Sequence, residues 1–245
     1  KIFEQPVLSL GDIGSFDENG TSYPSVLKFE NKFFMYYTGW IQGVQIPWYN
    51  NIGLAKSNDG IVFKKVSKAP IISCNKYDYI GLGSCYVLKE DKKWRIWYTR
   101  FENWKKVNGI LKHFYNIKYA DSTDGINWSF NSRICINFKN NFENSISKPC
   151  IKKIGDNYYM WFSYRGKYYK PGFAVSKDGK KWKRIDEKVG ISKSDSGWDS
   201  EMLCYPNIYE GKESFYMFYN GNDFGKQGLG YARISKELIS GLIYV

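Results

Sequence analysis

One histidine in 245 residues, and five cysteines with no C-x-x-C pair among them, set the first limits on this chain. A structural zinc site needs four closely spaced Cys or His ligands, and nothing here supplies them. An odd number of scattered cysteines (Cys74, Cys85, Cys135, Cys150, Cys204) does not make a disulfide framework, so a reducing, cytoplasmic setting is expected. His113 is read as a surface or packing residue, which leaves the cysteines without the histidine partner that nucleophilic catalysis uses. No apolar run approaches the roughly 18 residues of a membrane span. No signal-peptide pattern follows Lys1, and the start is read as trimmed.

Acidic residues are outnumbered 24 to 36 by basic ones, giving a formal charge of +12. The lysines are dispersed, often beside Asn and Asp in turns, and do not gather into the tract that nucleic-acid binding favours. No nucleic-acid partner is expected.

What the sequence has in quantity is aromatic side chains: 21 Tyr, 16 Phe and 9 Trp, with 23 Gly. Aromatic residues suit half-buried pleated strands, and this composition predicts an all-β protein. Four segments share one grammar: "SYPSVLKFENKFFMYYTG" from Ser22, "GSCYVLKEDKKWRIWYTR" from Gly83, "SKPCIKKIGDNYYMWFSYRG" from Ser147 and "CYPNIYEGKESFYMFYNG" from Cys204. Each is a short apolar strand, a polar turn (Glu30-Asn31, Glu90-Asp91, Gly155-Asp156, Gly211-Lys212) and a returning aromatic strand, which is a hairpin signature. Pro24, Cys85, Pro149 and Pro206 are equivalent, at spacings of 61, 64 and 57 residues. Three repeats continue into a Ser-x-Asp-Gly-x-x-aromatic turn, at Ser57 to Phe63, Ser122 to Trp128 and Ser176 to Trp182. Asp-Gly favours tight turns because glycine accepts positive φ. The fourth ends earlier, with "GLGYARI" as its third strand.

Repeated four-stranded antiparallel sheets make a β-propeller. The expectation is one propeller domain over 1–245, with repeat units at approximately 12–66, 74–130, 140–185 and 196–245. "KIFEQPVLSLG" reads as the tail of a preceding unit, so a five-bladed type with its first blade missing or trimmed fits better than a closed four-bladed ring.

Ser15-Phe-Asp17 leading to Pro24-Ser-Val, Met35-Tyr-Tyr-Thr-Gly39, Glu143-Asn-Ser-Ile-Ser-Lys-Pro149, Ser163-Tyr-Arg-Gly166, Val189-Gly-Ile191, and Trp198-Asp-Ser-Glu-Met202 with Tyr219-Asn-Gly-Asn222 carry a resemblance. At these residues the chain resembles a bacterial branch of the five-bladed propeller superfamily of arabinanases, levansucrases, invertases and mannoside phosphorylases. The Arg-Asp-Pro stretch of the invertases is absent.

The repeat register locates candidate chemistry. Asp17, Asp78 and Asp199 lie seven residues before their strand-start landmarks, Glu143 lies six before Pro149, and Glu201 adds a fifth carboxylate. Loops favour Asp and Glu in any protein, and repeats inherit loop residues together. Tyr23, Trp198 and Tyr205 nearby nevertheless offer faces on which sugars stack, and clustered carboxylates push one another's pKa values apart. Glycosidases use one protonated and one ionised carboxyl. The resemblance implies Asp17 as base or nucleophile and Glu201 or Glu143 as acid, with Asp78 or Asp199 orienting substrate. Residues at and after the end of the second strand, Trp40, Arg100, Arg165 and Asn220 to Asp223, are expected to line the same face of the propeller. The two arginines suit an acidic or phosphorylated sugar, or the phosphate of a phosphorylase. They suit structural neutralisation of the carboxylates equally well.

The expected function is a carbohydrate-active enzyme, a glycoside hydrolase working by Asp/Glu acid–base catalysis at a carboxylate-lined centre. Phosphorolysis or glycosyl transfer, and non-catalytic sugar binding, are the alternatives. No cofactor is expected; an axial Ca²⁺ occurs in some members of the superfamily, but no loop here has a calcium-binding spacing.

Overall fold

The computed structural model describes residues 3–236. The chain divides into two compact units, Lys1–Asn137 and Phe138–Val245. Each holds two runs of antiparallel strands that pair in chain order.

In the first unit, β1 (Gly20–Phe29), β2 (Lys32–Gln42), β3 (Trp48–Ser57) and β4 (Lys64–Lys65) form one sheet. β5 (Leu82–Glu90), β6 (Lys93–Val107), β7 (Ile110–Ser122) and β8 (Ile134–Ile136) form the next. In the second unit, β9 (Ser145–Ile154), β10 (Asn157–Arg165), β11 (Tyr169–Ser176) and β12 (Lys183–Arg184) are joined by antiparallel pairing. β13 (Cys204–Glu210), β14 (Ser214–Asn220) and β15 (Leu229–Ser235) complete it. The fourth sheet has three strands among the described residues, and the rest of the unit expected at 196–245 lies outside them beyond 236. Two short 3-10 turns, Asp186–Lys188 and Asp223–Gly225, interrupt the strands. No helix among the described residues is long and apolar enough to cross a membrane.

Local chemistry explains the hairpins. Glu30 and Asn31 both take positive φ (47° and 60°), the conformation a two-residue turn between right-twisted strands requires. The three Ser-x-Asp-Gly turns are built alike. The Ser57 hydroxyl accepts the N–H groups of Asp59 and Gly60, and the Asp59 carboxylate accepts those of Ile61 and Val62 at 2.8 and 2.9 Å. Ser122 with Asp124 and Ser176 with Asp178 repeat this pattern. These backbone bonds hold the Asp59 carboxyl down at about 2.

Every first strand carries an irregularity near its landmark: between Ser22 and Ser25, Ser147 and Cys150, and Cys204 and Asn207 at one register, and one residue earlier, between Leu82 and Cys85, in the second repeat. In three of them the residue before the landmark proline has left-handed backbone: Tyr23 (φ 50°), Lys148 (53°) and Tyr205 (59°). A non-glycine residue there costs about 1–3 kcal/mol. Bulges of this kind re-aim a side chain, and the fold repeats the device at the strand starts where the candidate residues stand.

The first unit's core joins Tyr36, Ile52, Leu54 and Ile72 to Leu82, Val87, Ile96 and Tyr98. None of the five cysteines is in a disulfide, and Cys85, Cys150 and Cys204 are buried at the strand starts. Burial pushes the Cys204 thiol up to about 12, which keeps it protonated at neutral pH. His113 packs among rings, 4.8 Å from Tyr115 and 5.3 Å from Trp104 between centroids. The β6–β7 hairpin that carries it runs several residues past the point where β10 and β11 stop.

Candidate functional site

The repeat carboxylates are bound by tyrosines on the second strand. Tyr37 donates to Asp17 at 2.9 Å, Tyr98 to Asp78 at 2.8 Å and Tyr219 to Asp199 at 3.1 Å, each twenty residues later in the chain. Burial, together with the carboxylate each faces, raises the pKa of all three phenols, so they act as permanent donors. The third repeat has Phe162 where the others have tyrosine. There the Arg184 guanidinium lies 5.3 Å from the Phe162 ring centroid, and Glu143 takes the guanidinium instead.

In the first unit these carboxylates are neutralised. Lys65 on β4 stands 2.6 Å from Asp17, whose side chain is 2% exposed; Ser15 donates to its other oxygen at 3.1 Å. Asp78 is fully buried, with Lys118 at 2.6 Å and Arg100 at 3.5 Å. Arg100 also reaches towards Glu102 at 3.6 Å. Asp17 and Asp78 are thus buried beside their cations. Tyr23 is exposed on its bulge, while the Trp40 indole packs against Gly20.

In the second unit Glu143 makes a bidentate pair with Arg184 at 2.8 and 2.9 Å and also accepts the Lys139 N–H at 3.0 Å. Arg184 occupies the β12 position that Lys65 has on β4, opposite Ala174 as Lys65 is opposite Ala55. Burial works against the Arg184 charge, but the hydrogen bonds it donates to Glu143 and Asp186 outweigh it and raise its pKa. Glu143 is thus placed as an internal counter-ion.

The segment Trp198–Met202 differs. Asp199 is buried with Tyr219 as its donor, Glu201 is exposed, and among the described residues no cation stands within ion-pair distance of either. The loop is nevertheless fixed. The Asn222 side-chain oxygen accepts the N–H groups of Glu201 and Met202 at 2.8 and 3.0 Å, and its amide nitrogen donates to the Gly197 carbonyl. The Trp198 ring stacks on Tyr219 at 5.5 Å and packs against Gly221, Gly228 and Gly230, where a Cβ would collide with it. Trp198 therefore serves the loop's own packing before it offers a face to a ligand.

Beside this loop lies an aromatic group. Tyr169 packs with Met202, Cys204 and Tyr205, and its ring faces Tyr205 at 5.7 Å and Phe224 at 6.0 Å. The Arg165 guanidinium lies 4.8 Å from the Tyr169 ring centroid and donates to Ser145 at 3.3 Å. Ser163 accepts the Tyr205 N–H at 2.7 Å, and Asn220 donates to the Phe224 carbonyl at 2.9 Å. The structure thus brings Glu201, Asp199, Tyr205, Arg165 and Asn220 into one neighbourhood of the second unit. Asp17, Asp78, Arg100, Tyr23 and Trp40 belong to the first unit.

Tyr169 and Phe224 escaped the sequence reading. Tyr169 was within reach, because pairing β10 to β11 across residues 166–168 sets it opposite Arg165. Asn222 was placed with the residues after the second strand, but its hold on Glu201 and Met202 had no local signal, since these partners lie about twenty residues away.

No family model matches the chain. Two uncharacterised proteins from two strains of Mycobacterium tuberculosis are each 32% identical over 228 residues, covering 93% of this chain and 76% of the relative. The chain belongs to their family. Among solved structures, a glycoside hydrolase superposes with a TM-score of 0.71 at 17% identity, over 91% of this chain and 71% of that one. A thermostable family-43 glycoside hydrolase gives 0.69 at 18% identity, over 87% and 71%. A structure from the family-130 mannoside phosphorylases, described as containing hydrolases of β-1,2 mannosidic linkages in Candida mannan, gives 0.68 at 18%, over 94% and 73%. This chain therefore has the β-propeller fold of those glycosidases.

Proposed function

We propose that the protein is a carbohydrate-active enzyme that cleaves or transfers a glycosyl group, with Glu201 as the acid or base and Asp199 as its neighbouring carboxylate. The observation that carries this reading is the contrast in charge pairing: Asp17, Asp78 and Glu143 each hold a cation, while the Trp198–Met202 loop is fixed by hydrogen bonds and its carboxylates hold none among the described residues. An unpaired carboxyl in a partly apolar setting can exchange a proton with a leaving oxygen. Tyr205 and Tyr169 supply ring faces for a sugar, and Arg165 suits an acidic or phosphorylated group on it. The glycosidase fold supports a carbohydrate substrate, and the four sheets are read as four blades of a five-bladed ring. Asp17 then acts as an internal counter-ion.

Arg165 also favours a second reading, phosphorolysis, in which the guanidinium holds inorganic phosphate and one carboxyl suffices. Product analysis on oligosaccharides with and without phosphate separates the two. Hydrolysis gives free sugar in either buffer, while phosphorolysis gives sugar phosphate only when phosphate is present. Glu201→Gln should lower turnover at least a hundredfold and leave sugar binding within a few-fold. Wild-type binding with no product in either buffer would leave only a sugar-binding propeller.

A further inference from the structure

The second unit contains a cavity of about 840 Å³ that no candidate site residue lines. Two apolar sheet faces look into it. Tyr159, Trp161 and Phe173 come from β10 and β11, and Ile208, Phe215 and Met217 from β13 and β14. On each strand these residues alternate with others, as one face of a pleated sheet requires. Facing sheets normally interdigitate and leave few voids larger than a water molecule. This space instead falls within the roughly 300–1,000 Å³ of small-molecule sites.

Two further observations describe the occupant. Tyr159 is only 4% exposed, and its hydroxyl makes no hydrogen bond of good geometry, although Asn157 is near it. Buried hydroxyls are nearly always bonded, so an acceptor is missing from this one. Lys177, Lys181, Lys183 and Lys188 are exposed where the cavity is lined by the turn after β11, by β12 and by the segment after it. Asp178 and Glu187 face them, but Asp178 is committed to the N–H groups of Lys180 and Lys181. Tyr159 pairs with Val175, two residues before Lys177, so the unsatisfied donor stands at the lysine-bearing end of its strand pair.

We propose that this cavity is a binding site for a long-chain acyl carboxylate. The hydrocarbon chain fills the apolar space, and the carboxylate accepts from Tyr159 and is held by the lysines. The proposal is independent of the glycosyl chemistry assigned to Glu201.

The test is titration of the full chain with dodecanoate below its micelle concentration, read by calorimetry and by tryptophan fluorescence. One dodecanoate should bind per chain, at least tenfold more tightly than dodecyltrimethylammonium. Ala232→Phe, which narrows the cavity, should weaken binding at least tenfold. Tyr159→Phe and the exposed pair Lys177→Glu/Lys181→Glu should each weaken it at least threefold; these two decide the matter if Ala232→Phe fails to fold. Absence of saturable binding, equal binding of the cationic amphiphile, or wild-type affinity in these variants would overturn the proposal. So would binding that appears only after removal of residues 237–245, because the chain itself would then be the occupant.

Discussion

A buried carboxylate has to be compensated, and this chain does so in two ways at equivalent points. Three repeats use a tyrosine twenty residues on; the third has Phe162, and Glu143 is matched to Arg184 instead. Removing one member of a buried ion pair costs about 3–5 kcal/mol, and Asp186 remains to share Arg184, so the low end applies. Glu143→Leu should therefore destabilise the protein by about 3 kcal/mol in urea unfolding. A loss under about 1 kcal/mol would remove its structural role. Asp59 carries a pH signature. Its folded pKa, about 2, lies below the ordinary carboxylate value near 3.9, so the stability it adds is complete above that value and is lost as pH falls toward the folded one. The melting-temperature gap between wild type and Asp59→Ala should hold at about pH 6 and shrink from about pH 4 to about pH 2. A gap that stays constant would contradict this. The positions of these carboxylates were legible from the repeat register. Their cations were not, because Lys65 and Arg184 come some forty residues or more later and pair only once the sheets have formed.

Among the elements, the hairpins were readable because their causes are local: polar turns, alternating aromatics and Asp-Gly pairs act within a few residues. The second sheet was expected to end near 130 and runs on to Ile136, since β8 is fixed by pairing with β7 rather than by its own sequence. The Trp198–Met202 loop carries the carboxyl proposed to act, and it is held by Asn222 and by glycines under the Trp198 ring. A Cβ at Gly228 would lie 2.8 Å from that ring. Gly228→Val should displace Trp198 and with it Glu201, lowering turnover at least tenfold while far-UV circular dichroism stays that of the wild type. Unchanged turnover would show that the loop tolerates a shifted tryptophan.

For the molecule as a whole, the aromatic content and the repeats announced the all-β architecture, and the superposition on glycosidases agrees with it. Lys65, Lys118 and Arg184 face carboxylates inside the protein, and because such pairs are neutral the formal charge of +12 is carried by the other, dispersed basic residues. The central claim is that Glu201, the exposed carboxyl without a cation, exchanges a proton with a glycosidic oxygen. Its most direct test is chromatographic analysis of products from a panel of oligosaccharides incubated with wild type and with Glu201→Gln. The account predicts a shortened glycan or a sugar phosphate from at least one substrate with the wild type, and at least a hundredfold less with the variant. Equal product from the two proteins would contradict it.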